Sequence, residues 1–144
     1  MLADRLDPEA ALAFAAASVA AETAGWGDGA VDDLVLLRGL LETADDDLLK
    51  VMGPHLRTVL SALAGVGAPE SRRLPFAEHL LDAALNEAID LNGSADVITA
   101  VHLVLGLFFF PGCAATKVLQ SCGIDWRPLR SLTRRLTGRS FYDW

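Results

Sequence analysis

Only two of the 144 residues are cysteine, Cys113 and Cys122, and they stand nine positions apart. So sparse a supply excludes a disulfide scaffold and fits a reducing cytoplasm. The chain does not open on a basic segment, an apolar segment and a small-residue cleavage site, so no secretory signal is expected. Sustained period-two alternation is missing throughout, which speaks against a sheet. Long apolar runs are missing too. Val97 to Phe110 comes nearest, with fourteen residues and only Thr99 and His102 polar among them. A membrane-spanning helix needs about 20. Asp96 precedes the run and Pro111-Gly112 ends it, so a buried helix with an aromatic end is the expectation. Positive charge is also short: 12 Lys and Arg against 19 Asp and Glu leave a net charge of −7. An acidic chain is a poor general binder of nucleic acid.

What is present is apolar and helix-forming. Hydrophobic residues make up 52% and charged residues 22%, a composition that folds. A chain of this length buries roughly 68–70% of its unfolded surface, enough for one domain with its own core. Asp7-Pro8-Glu9 is a helix start: an N-cap acceptor, Pro at the first position and an acid in the first turn. An Ala-rich helix follows to Ala24, broken by Gly25, Gly27 and Gly29. Further helices are expected over Val31–Glu42, from Asp45 to Met52, and over His55–Leu63. The segment Gly65 to Arg73 reads as a connector. A fifth helix should start near Pro75 and reach Leu91. The run from Val97 is the sixth, Gly112–Ser121 the seventh and Trp126–Leu136 the eighth. The fold expected is all-α.

Sliding the chain by 67 positions aligns its two halves. Ala16-Ala17 falls on Ala83-Ala84, Ala21 on Ala88, Val31 on Ile98, Leu36 on Leu103, Gly39 on Gly106 and Leu40 on Leu107. The register then slips by three, so that Gly53 meets Gly123, Leu56 meets Trp126 and Val59 meets Leu129. The matched positions are those that would face a core. The reading is two tandem four-helix repeats within one domain, residues 1–64 and 75–144, joined by 65–74. Charge divides unevenly between the halves. Residues 1–70 hold twelve acids and four bases, while residues 71–144 hold seven acids and eight bases. Arg127, Arg130, Arg134, Arg135 and Arg139 gather at the last helix, either for dipole and solubility or to dock on an acidic surface.

Catalytic motifs are absent. There is no Gly-x-Ser-x-Gly elbow and no His-Glu-x-x-His. His55, His79 and His102 lie on separate helices, and His102 is expected as a satisfied core histidine. No metal and no cofactor are implied. Cys113 opens a helix and Cys122 closes it, and two buried or half-buried thiols are expected; the alternative is that the helix N-terminus lowers the pKa of Cys113 and makes it reactive. Phe108-Phe109-Phe110 cannot all face one stripe of about 100°. At least one should stand at a rim, either packed under a loop or as part of a binding surface.

The second half resembles the Clp N-terminal repeat. The resemblance rests on Glu87-Ala88, His102-Leu103-Val104-Leu105-Gly106-Leu107, Ala114-Ala115, Val118-Leu119, Gly123-Ile124-Asp125 and Leu129-Arg130. In that family two copies form the all-helical N-domain of ClpC- and ClpA-type unfoldases. Departures are plain. Ala100-Val101-His102 stands where the family has Thr-Glu-His, and Val31-Asp32-Asp33 in the first half has no histidine. Two residues are inserted around Ser94-Ala95, and Phe109-Phe110 replace charges. No phosphate loop follows, so no ATPase module is expected. The chain is then either a free-standing relative or the N-domain of a longer unfoldase.

The resemblance implies a non-catalytic, cytoplasmic recognition module. Its partners would be peptides, protein substrates, adaptors or cyclic peptide antibiotics, and through them a Clp protease system. A free-standing copy would act as a competitor or decoy of ClpC. Neither nucleic acid nor membrane is a partner on this reading, and the expected state is a monomer or weak dimer. A self-associating assembly protein is the other reading. Carried over by position, the family's peptide site falls on Leu2, Phe14 and Ser18, and on Arg73, Phe76, Glu78 and Asp82. The aromatic end Phe109-Phe110 is a further binding candidate. Asp32 would retain one phosphoarginine contact of the family, but Val101 cannot replace the acid at the other, so phosphoarginine binding should be weak or absent.

Overall fold

Asp7 begins the first helix, α1 (Pro8–Thr23), as its context dictates: its carboxylate accepts the Ala10 N–H at 2.7 Å and Pro8 fills the first position. The computed structural model describes residues 2–26, 29–65, 73–74, 77–93 and 96–136. After α1 come α2 (Asp33–Glu42), α3 (Asp46–Met52) and α4 (His55–Ala64). The second half holds α5 (Ala77–Asn92), α6 (Ala100–Leu107), α7 (Ala114–Ser121) and α8 (Trp126–Leu136). A short 3-10 turn, Leu2–Arg5, precedes α1. The fold is all-α, and no described helix is long and apolar enough to cross a membrane.

Two departures from the sequence reading are local. Val31–Asp32 is not the start of α2 but a two-residue strand, β1, paired antiparallel with β2 (Arg73–Leu74). Two residues are too few to show alternation, so the pair leaves no periodic signal. The apolar run also turns helical three residues late, at Ala100. Ile98 is held extended instead: its N–H donates to the Arg5 carbonyl at 2.8 Å, and its carbonyl accepts the Asp7 N–H at 3.0 Å. Each half thus lends the segment before its first helix to the other half, Leu6 to Ile98 and Leu74 to Val31. The two pairings differ in sense, the first parallel and the second antiparallel.

Packing repeats across the halves. α1 buries Ala10, Ala13, Ala17 and Ala21, one face at helical spacing. Small residues there let α2 come close: a Cβ on Gly39 would stand 3.1 Å from the Ala13 Cβ. In the second half a Cβ on Gly106 of α6 would stand 3.2 Å from both the Ala84 nitrogen and the Leu80 side chain of α5. One hydrophobic cluster draws on both halves, with Leu36, Leu37, Leu48, Leu80, Leu103, Leu105 and Leu107 fully buried.

Candidate functional site

A groove of about 490 Å³ opens where the N-terminal turn, α1 and α5 meet. The turn contributes Leu2 and Ala3, and α1 contributes Phe14, Ser18 and Glu22, spaced four apart so that they share a face. α5 adds Ala77, Glu78, Leu81 and Asp82, and the approach to β1 adds Gly29 and Ala30. Two tethers shape it. The Leu6–Ile98 bridge fixes the turn, and the Ala77 N–H donates to the Gly29 carbonyl at 2.8 Å, tying the start of α5 to the far wall.

The groove's chemistry is one-sided. Phe14, Ala30, Ala77 and Leu81 make an apolar floor, while Glu22, Glu78 and Asp82 stand exposed at the rim. No Lys or Arg lines it among the described residues. Next to it, the outer face of α1 leaves Leu12 72% and Val19 60% exposed, so apolar surface continues past the rim. Leu12, Ala15, Ala16 and Val19 are all exposed on this side of α1, where a helix at a protein surface ordinarily carries polar residues.

Five positions carried over from the family resemblance, Leu2, Phe14, Ser18, Glu78 and Asp82, come together in this groove. Arg73 is in β2, its Cα opposite that of Asp32. Phe76 lies outside the described residues, as does Arg139. Glu22 and Leu81 were missed by the sequence reading. Their signal was helical spacing: Glu22 lies four residues beyond Ser18, and Leu81 four beyond Ala77.

Asp32 belongs elsewhere. It is buried, and its carboxylate caps α2 by accepting the Leu34 and Val35 N–H groups at 3.1 and 3.2 Å. Val101, at the other phosphoarginine position, is a buried core residue. Phe109 and Phe110 sit apart from the groove, in a smaller pocket across α5 with His79, Asp82, Ala83 and Asn86. Phe109 is the phenylalanine left at the rim, 54% exposed, with its ring edge-on to Trp126 at 5.8 Å.

Of the terminal arginines, Arg130 is already engaged. Its Nε donates to Glu87 at 2.9 Å, a terminal nitrogen reaches Asp90 at 3.2 Å, and the guanidinium lies 5.3 Å from the Trp126 ring centre. Burial pushes the Glu87 carboxyl up, with Arg130 pulling it back. Arg127, Arg134 and Arg135 are exposed along α8.

Cys113 is buried and Cys122 half-buried, as expected of the two thiols. Cys113 is the N-cap of α7, and desolvation pushes its pKa up to about 11. Its sulfur faces the Thr116 hydroxyl at 3.1 Å, and that hydroxyl donates to the Leu107 carbonyl at 2.6 Å. Burial outweighs the helix terminus here, so the thiol stays protonated. Beside it lies Asp33, fully buried, whose Oδ2 accepts the Ala115 N–H at 2.7 Å and so caps α7 from the other half of the chain. Desolvation raises Asp33 to about 6, against the pull of that N–H.

His102 is a core histidine. Its Nδ1 accepts the Thr99 N–H at 3.0 Å, and its Nε2 lies 3.1 Å from the side-chain amide nitrogen of Asn92. Burial lowers its pKa to about 4, although Asp45 favours the charged form. Among the described residues no group of His, Cys, Asp and Glu side chains is arranged to hold a metal ion. No family model matches the chain, and no curated protein matches it.

Proposed function

We propose that the chain is a non-catalytic recognition module of the Clp N-domain type, with the groove between α1 and α5 as its ligand site. One observation carries this reading: Leu2, Phe14, Ser18, Glu78 and Asp82, scattered over 80 residues of sequence, line a single groove of about 490 Å³. A volume of that size suits a small ligand or a few side chains of a peptide. The apolar floor takes hydrophobic side chains by removing them from water. The rim of Glu22, Glu78 and Asp82 favours a partner without negative charge near its anchor. Peptides, unfolded segments of substrates, adaptors and cyclic hydrophobic peptides all meet these demands.

The test is anisotropy of a labelled apolar decapeptide on the wild-type chain and on Phe14→Arg and Leu81→Arg. Binding to the wild type and at least about tenfold weaker binding to both variants is expected, because each puts a charge on the floor. Equal affinity for all three proteins, with circular dichroism unchanged, would refute the groove as the site.

A further inference from the structure

The smaller pocket across α5 shares a residue with the main groove. Asp82 lines both. Around α5, Leu81 and Glu78 face the groove, Asp82 stands on the crest, and His79, Ala83 and Asn86 face the second pocket, whose volume is about 270 Å³. The far wall is Phe109 and Phe110. Neither Lys nor Arg lines this pocket among the described residues.

Phe109 is exposed without being loose. Its ring abuts the Trp126 ring at 77° between planes, Arg130 lies over Trp126, and Glu87 and Asp90 of α5 hold Arg130. The ion pair thus ties α8 to the same helix that bears Asp82, and Phe109 and Asp82 line one pocket. An aromatic surface, an exposed carboxylate and an amide around one hollow form the environment that holds an organic cation.

We infer that the Phe109–Asp82 pocket is a second subsite for the groove's own ligand, taking the ammonium or guanidinium of a basic side chain. This rests on the groove being the ligand site. The occupant is therefore an apolar peptide that also carries a lysine or arginine. Its spacing follows from geometry. Crossing a helix about 10–12 Å wide with an extended chain of about 3.3 Å per residue separates the basic residue from the apolar anchor by about three to four positions.

Two labelled decapeptides decide the matter. Both carry the same apolar triplet, and one has arginine, the other glutamine, four positions beyond it. On the wild-type chain the arginine peptide should bind roughly tenfold tighter than its partner. In Phe109→Ser, and in Asn86→Lys, which changes an exposed residue and adds a like charge, the ratio should fall to about one. Moving the arginine next to the triplet, too near to cross the helix, should abolish the preference as well. Equal binding of both peptides to the wild type would overturn the second subsite while leaving the groove intact. So would a preference that survives both substitutions. Failure of both peptides to bind the wild type would overturn the subsite and the groove together.

Discussion

At Gly39, α2 rests on the side chain of Ala13; at Gly106, α6 rests on Leu80 and on the backbone of Ala84. The two helix pairs meet at matching places through different atoms. Their caps differ more. Asp32 caps α2 in the ordinary direction, side chain accepting from backbone N–H groups ahead of it. At Thr99, 67 positions later, the bond runs backwards, from the Thr99 N–H to the ring of His102. One position further on, the first half has buried Asp33 and the second has Ala100. The close helix pairing recurs at matched positions, whereas the strand pairings and the polar groups around them do not. Close helix packing constrains residue size at a few positions, while a cap asks only for some acceptor within reach.

The strongest way to break this comparison is through the core. Leu36 and Leu103 are matched and fully buried. Leu36→Ala and Leu103→Ala should each cost about 3–4 kcal/mol. Both should unfold in urea in one transition, because the cluster spans both halves. Two transitions in either variant would mean that the halves are separate cores.

Next in size is the pH response. Asp33 holds its proton more tightly folded, at about 6, than at its ordinary 3.8, so it adds stability as pH falls from 6 towards 4. His102 does the opposite, since its folded value near 4 lies below the ordinary 6.5 and its contribution grows as pH rises through the same window. Asp32 and Cys113 face Asp33, and Asp45 faces His102. The wild type should therefore change little in urea stability between pH 4 and 6. Asp33→Asn keeps an acceptor for the Ala115 N–H and should leave stability rising with pH, with Glu87 opposing part of the rise. His102→Gln should leave it falling with pH. Each slope amounts to about 2–3 kcal/mol across the window. Flat profiles in both variants would remove these two groups as opposed titrations.

The caps give the smallest effect. Asp32→Ala should cost about 1–2 kcal/mol, since it leaves two N–H groups without their acceptor. Thr99→Ala should cost less, about 0.5–1 kcal/mol, because it removes the hydroxyl of a capping box while the backbone N–H that meets His102 remains. Equal losses in thermal unfolding would erase the distinction between the two caps.

Much of this was legible beforehand. The eight α-helices among the described residues and the core role of His102 follow from spacing and composition alone. The groove was half legible, because Leu2, Phe14 and Ser18 could be carried over only through a family likeness. Pairings between distant segments were not legible. Asp33 and Ala115 are 82 residues apart, and nothing in either neighbourhood announces that one caps the other. The Val31–Leu74 pair is too short to alternate. For Cys113 the place at a helix start and the buried thiol were both expected, while the Thr116 and Asp33 side chains around the sulfur were not legible.

The bridge between Leu6 and Ile98 sets a timetable for synthesis. A ribosome adding about 5–20 residues per second needs on the order of 5–20 s to travel from one to the other. Until Ile98 leaves the exit tunnel, the N-terminal turn has no strand to lean on and the wall bearing Leu2 cannot be set. The turn that bears Leu2 is thus made early and set late, and for those seconds Phe14 waits beside a groove that does not yet exist.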